Sequence, residues 1–404
     1  MTERLAPDAE KLAALRAALP ATGAGIYLDT ATRGPLPAET AAAMREAEDW
    51  ELRVGRATEG REDDVEQRAA EARAVLAAAL GGDPAEIALM PGLEVALGSA
   101  AWAPDWKAGD RALTVTAAGR ETFAVLAAIR QRAGVELDLI DTADAGSLTA
   151  AITPRTRLVV LPHVSPQSGE RLPIEAICAA VRPSGAWIVV DASCSAGVIP
   201  ISAQELGADF LAVAGDRWLL APEGTACLWV GRRALAETSS PITTESAFET
   251  LDGPISRHWP DAGRFEAAAL PRTALLGLAR SVGWLEMYVG LPWALPRGER
   301  LAHGLLRTLA ATDGVELLTP VDSAAGIATF RLANWRASEA AEELGRRVFA
   351  ILRPLPELDA LRASIAWFNS DEELAHFSGA VAELAGHTPE SIPRRPSLTV
   401  LGNG

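Results

Sequence analysis

The chain is expected to fold as an α/β protein: a doubly wound, mostly parallel sheet followed by a smaller α+β carboxyl-terminal domain. Three observations predict this. Apolar runs of strand length recur between segments of helical periodicity, the pattern changes after a turn-rich stretch at 241–261, and 404 residues exceed one ordinary core.

The predicted strands are Ala112 to Thr116, Val135 to Ile140, Leu158 to Pro162, Ala186 to Asp191, Phe210 to Ala214 and Ala226 to Val230. Short, nearly uninterrupted apolar runs suit strands covered on both faces. Glu66 to Leu80 and Thr122 to Arg132 carry the helix period. From Pro241 to Asp261, Gly253-Pro254 and Pro260-Asp261 mark turns, so this stretch is expected to connect two domains. Beyond it, helical patterns run from Arg264 to Leu291, Gly298 to Ala311 and Ser338 to Leu352. Strands are expected near Val315 to Leu318 and Ile327 to Leu332, with a last strand and helix across Leu361 to Leu384. The expected organisation is an amino-terminal helix within 1–25, a large domain over 26–260, a small one over 261–386, and a proline-containing tail, 387–404, lying on the surface or poorly ordered.

Composition narrows the function. With 49% apolar and 22% charged residues the chain reads as a compact soluble protein. A net charge of −16 argues against nucleic acid or an anionic membrane as partner, because both demand a basic face, and points to a small molecule. Cys178, Cys194 and Cys227 are an odd number without paired spacing, so neither a disulfide framework nor a zinc site is expected, and the cytoplasm is the expected compartment. The five histidines show no i, i+4 pairing, and no metal is expected. No segment has a signal-peptide core or the length of a membrane span.

The motifs carry more. Tyr27-Leu28-Asp29-Thr30-Ala31-Thr32-Arg33-Gly34-Pro35-Leu36-Pro37 is followed by His163-Val164-Ser165, then by Asp191-Ala192-Ser193-Cys194-Ser195-Ala196-Gly197. Next come Gly215-Asp216-Arg217-Trp218-Leu219, Arg264-Phe265-Glu266 and Leu361-Arg362-Ala363-Ser364. In this order and spacing, from about Tyr27 to Leu384, they resemble the class V aminotransferases, which include cysteine desulfurases, isopenicillin N epimerase-like proteins and the ergothioneine lyase. The resemblance implies the fold of type I pyridoxal-phosphate (PLP) enzymes, with a seven-stranded-type sheet, and a homodimer. It implies that Asp191 bonds the cofactor's pyridine nitrogen and that Arg362 grips the substrate carboxylate. It also places Arg217 where the family has the lysine that links to PLP. Arginine stays charged at every accessible pH and cannot form that imine. The chain has only two lysines, Lys11 and Lys107, neither near the motif.

Other cofactor contacts of the family are changed as well. Met90-Pro91-Gly92-Leu93-Glu94 replaces the hydroxyl-bearing phosphate turn, Ala214-Gly215-Asp216 replaces the usual Ser-x-His or Ser-x-Arg, and Ala268-Ala269 replaces a Gly-Thr. Pro166, Cys194 and the stretch Gly119-Arg120-Glu121-Thr122-Phe123 stand where cofactor-touching polar and aromatic residues are common. Like charges about 4 Å apart at an effective dielectric near 20 cost on the order of 4 kcal/mol, roughly a thousandfold in affinity. Asp216 and Glu94 are therefore expected to oppose a phosphate dianion.

These substitutions lead to the expectation of a PLP-independent enzyme, without cofactor, acting on a small carboxylate-bearing, amino-acid-derived substrate. Asp191, Asp216, Arg217, His163 and Cys194 are its candidate catalytic residues, and Arg362, Thr30 and Trp218 its candidate substrate contacts. Each has a plainer reading. Asp191 would cap the turn Ser193 to Gly197, Asp216 and Arg217 would form a structural ion pair, and Arg362 a surface one. His163 would be a satisfied structural histidine, and Cys194 a small buried residue. Two further readings stay open. One is a transferase or lyase that uses PLP or pyridoxamine phosphate without an internal aldimine; the other is a noncatalytic ligand-binding or partner subunit.

Overall fold

The computed structural model describes residues 8–141, 144–238, 240, 244–266 and 270–393. The Ala268-Ala269 pair and the tail beyond 393 lie outside them.

A seven-stranded sheet forms the centre. Its strands are β1 (Ile87–Met90), β2 (Arg111–Val115), β3 (Glu136–Ile140), β4 (Thr156–Pro162), β5 (Trp187–Asp191), β6 (Phe210–Ala214) and β7 (Ala226–Val230), in the spatial order β1-β7-β6-β5-β4-β2-β3. The pairs from β6 to β3 are parallel, while β7 is antiparallel to both β6 and β1. The expected α/β class and mostly parallel sheet are therefore present. Every residue of β5, β6 and β7 is buried, as a sheet covered on both faces requires, whereas the edge strand β3 is largely half-exposed. β1 is the strand missed from sequence: at four residues, Ile-Ala-Leu-Met, it is too short for periodicity to register.

Two apolar cores flank the sheet, one including Leu76, Leu161 and Val190, the other Leu97, Leu126 and Phe265. A third lies in the carboxyl-terminal part, where Val315–Leu317, Ile327–Leu332, Ala360–Ser364 and Arg353–Leu355 make an antiparallel sheet. The helices Leu291–Ala310, Ala337–Val348 and Asp371–Ala385 pack on it through Leu305, Leu344 and Phe377. The strand Ile26–Tyr27 pairs in parallel with Ala350–Ile351, tying the start of the chain to this part.

Local chemistry explains where elements depart from expectation. The helix predicted through Leu352 stops at Val348 because Phe349 takes a left-handed conformation (φ 53°) and returns its N–H to the Gly345 carbonyl, freeing Ala350–Ile351 to pair as a strand. The stretch read as a plain connection contains a hairpin, Phe248–Asp252 with Ile255–His258, turning at Gly253 (φ 55°). The helical pattern predicted from Arg264 starts only at Arg272, after Pro271.

Candidate active site

β1, β2, β4, β5 and β6 all run the same way, so their carboxyl ends gather along one edge of the sheet, where open α/β folds form clefts. The loops leaving those ends carry Gly92, Gly119, Pro166, Asp191 and Asp216-Arg217. The cleft they form holds about 440 Å³ and is closed on its far side by Arg353 to Glu357 and by Arg362.

Asp191, the last residue of β5, is buried, 2% exposed, and is not part of the cleft lining. Its Oδ1 accepts the Ser193 N–H at 2.9 Å, which is the turn cap expected of it. Its Oδ2 accepts no hydrogen bond among the described residues and faces Gly119: a Cβ at Gly119 would come within 3.8 Å of Oδ2 and 2.9 Å of Glu121 Oε2. Gly119, part of the cleft lining, thus stands next to this buried carboxylate. Burial raises the Asp191 pKa, and Arg217 and the Ser193 contacts only partly offset that.

Arg217 is drawn inward from the loop after β6. Its Nη2 is ion-paired with Glu121, its Nη1 donates to Ser193 Oγ at 2.8 Å, and Cys194 Sγ lies 3.9 Å from Nη1. The backbone here is held by Gly34, whose N–H donates to the Asp216 carbonyl at 2.8 Å. Burial pushes the Glu121 carboxyl up, and Arg217 more than reverses it, holding Glu121 below its usual value. The expected Asp216 to Arg217 pair does not form. Asp216 instead lies 3.5 Å from Arg33, and burial raises its pKa.

Arg362 is buried, not at the surface. Its Nη1 donates to the Pro166 carbonyl at 3.0 Å, while Nη2 bonds Thr32 Oγ1 and lies 3.4 Å from Asp29. The Asp29 pKa is raised by burial against the pull of Thr32 and Arg362, which tempers its hold on the arginine.

The structure brings Asp216, Arg217 and Arg362 together in the lining, with Asp191 buried next to Gly119. Thr30, His163, Cys194 and Trp218 are buried and do not line the cleft; Thr32 does. His163 has no hydrogen-bond partner on either ring nitrogen among the described residues, and burial, with Arg171, pushes its pKa down to about 4, so it is neutral near pH 7. Lys11 lies in the helix Asp8–Ala17 over the Trp293 ring, and Lys107 in the turn before β2; neither lines the cleft. Reading from sequence missed Glu121, Arg120, Arg33 and Arg353. Only the tertiary fold brings these four to one place, although the Arg120-Glu121 pair after Gly119, opening the helix Arg120–Ala133, was a usable signal for an anionic and a cationic group at a helix start.

Residues 26–377 match the family described as aminotransferase class-V. The chain belongs to the class-V aminotransferase family. Among its curated relatives, a probable cysteine desulfurase of Methanothermobacter thermautotrophicus is 24% identical over 383 residues, covering 89% of this chain and 95% of that protein. The isopenicillin N epimerase of Streptomyces clavuligerus is 27% identical over 340 residues, covering 78% and 84%. Among solved structures, a lysine-to-alanine mutant of C-DES with glycine covalently linked to its PLP cofactor superposes with a TM-score of 0.85 at 22% identity, covering 94% of this chain and all of that one.

These findings correct two expectations. A PLP-independent enzyme and an absent cofactor both run against a family whose named relatives are cysteine desulfurases and whose structural neighbour carries PLP. Asp216 and Glu94, read along the chain, oppose a phosphate, but folding brings arginines in beside them. The cleft is lined by five arginines against four carboxylates, and Arg33 partly neutralises Asp216. The lining therefore fits an anionic, phosphate-bearing cofactor, with five arginines around the cleft and the Asp191 carboxylate buried next to Gly119. They supply no amine for a covalent link.

Proposed function

We propose that this class-V family member binds PLP or pyridoxamine phosphate without a covalent link to the chain, together with a small amino acid, and performs a transfer or elimination reaction on it. Arg217 stands, in this reading, where related enzymes have the linking lysine. The observation that carries it is the cleft at the carboxyl ends of the parallel strands, lined by five arginines, with the buried Asp191 carboxylate next to Gly119 of its lining. The structural neighbour holding PLP and glycine after loss of a lysine supports it further.

When bound, the cofactor would supply an electron sink for bonds at the amino acid's α-carbon. The protein's own residues do the rest. Asp191 holds a protonated ring nitrogen, since a positive charge opposite a buried carboxylate stabilises both. The first amides of the helix Leu93–Ala101, with Arg33 and Arg120, hold the anionic end. Arg362, fixed by Pro166, Thr32 and Asp29, orients the substrate carboxylate. Asp216, half-buried and of raised pKa, is the group we assign to hold and move a proton. Arg217 cannot exchange one; its charge keeps Glu121 ionised and orients the floor. We assign His163 and Cys194 no contact with substrate, and expect a cytoplasmic homodimer with no nucleic-acid or membrane partner. Among the described residues no helix is long and apolar enough to cross a membrane.

Calorimetry with PLP and with pyridoxamine phosphate, each with and without an amino acid, tests the reading. Binding of at least one is expected, weakened about tenfold or more by Asp191→Ala; silence from both would leave a partner or ligand-binding subunit instead. The same protein tests the place of Arg217. Arg217→Lys, incubated with PLP and borohydride, is expected to gain one cofactor mass at residue 217, and the parent chain none.

A further inference from the structure

We propose that the substrate carries a second acidic group, held by Arg353 with Arg120, in addition to the carboxylate held by Arg362. The inference deepens the amino-acid reading above and rests on it.

Arg353 and Arg362 are directly opposed Cα partners on the antiparallel strands Arg353–Leu355 and Ala360–Ser364. Directly opposed residues leave the same face of a sheet with their Cβ atoms about 5 Å apart, and both of these line the cleft. Like charges in that position destabilise a strand pair. The guanidinium of Arg362 is engaged by Pro166, Thr32 and Asp29. That of Arg353 makes no hydrogen bond or ion pair among the described residues, and neither does that of Arg120, at the start of the helix Arg120–Ala133.

Asp29 acts on both arginines, but burial raises its pKa and weakens that hold, so an anion at Arg353 offsets the remaining repulsion and gives a fork that makes no hydrogen bond a planar partner. Two carboxylates of the lining, Glu121 and Asp216, are already matched by Arg217 and Arg33. Glu94 and Glu357 remain, so the cleft offers cations at specific places and not a uniformly positive wall. That arrangement selects an amino acid with one further acidic group and penalises its neutral amide. On a chain of net charge −16, two unpaired arginines beside a carboxylate-gripping one are a local reversal of sign.

The test is calorimetry on the full chain with L-aspartate and L-glutamate against L-asparagine and L-glutamine, with and without PLP. At least one acid is expected to bind roughly tenfold tighter than its amide, a difference of about 1.4 kcal/mol. Arg353→Gln is expected to bring that ratio close to one, and Arg120→Gln to reduce it. Equal binding of acid and amide by the parent chain overturns the inference, as does binding of neither, or a preference that survives Arg353→Gln. PLP titrated alone separates the two readings. An acid preference without PLP uptake overturns the cofactor reading only; PLP uptake without an acid preference overturns the second acidic group only.

Discussion

The Arg217 guanidinium puts a permanent charge into the cleft lining that the surroundings must answer. Glu121 answers it, and Ser193 accepts a further bond. Truncating one partner of a buried pair leaves the other charge stranded. Because Glu121 is 24% exposed, the expected loss for Glu121→Gln is about 2 kcal/mol, below the full buried-pair range, measurable by urea unfolding near pH 7. The pH dependence has a definite sign. With its folded pKa below the ordinary 4.5, Glu121 stabilises the fold above that value and loses the contribution as pH falls through the lower folded pKa. Glu121→Gln is expected to flatten the stability curve below about pH 4.5; an acid limb parallel to the parent's would refute the pairing.

At the scale of elements, the site depends on chain segments held at backbone distance. A Cβ on Gly34 would sit 2.0 Å from the Arg217 carbonyl oxygen and 2.6 Å from a Leu220 methyl, and Leu220 is itself left-handed (φ 56°). The strand-end loop carrying Asp216 and Arg217 has no room to retreat, because Gly215 is pressed against Thr225 on its other side. Gly34→Ala is expected to lower stability by about 1–3 kcal/mol, seen as a lower denaturant midpoint, and to shift Arg217 away from Glu121. Sequence showed the glycine and the loop but not their meeting, since 34 and 217 are joined only by the fold. The same holds for Gly119, which reads as a helix-start residue until Asp191 is placed behind it. Asp191 and Arg362 were legible as candidate residues because motif and residue type agree there, and Arg362 lines the cleft; the partners of Arg217 were not legible, because ion pairing depends on which side chains meet in space.

At the scale of the whole molecule, the cleft is walled by both parts of the chain, a loop of the large sheet contributing Asp216 and Arg217 and the carboxyl-terminal sheet Arg353 and Arg362. Apolar side chains remain outside. Leu52 is 84% exposed at the end of the helix Ala38–Val54, and Leu251 and Ile255 project from the hairpin. Such positions suit a covered face in a dimer. Sedimentation equilibrium is expected to give twice the chain mass, and Leu52→Glu with Ile255→Glu to shift it toward one; a monomer across the micromolar range would remove the dimer from the proposal.

By itself the sequence determined the α/β class, six of the seven central strands to within about two residues at either end, and the family. These follow from short-range apolar pattern and from side-chain chemistry, both local properties of the chain. Only the tertiary structure decided the electrostatic balance of the cleft. Charge interactions run through space, and Arg33, Glu121, Asp216 and Arg353, far apart in the chain, become neighbours when parallel strands deliver their loops to one edge.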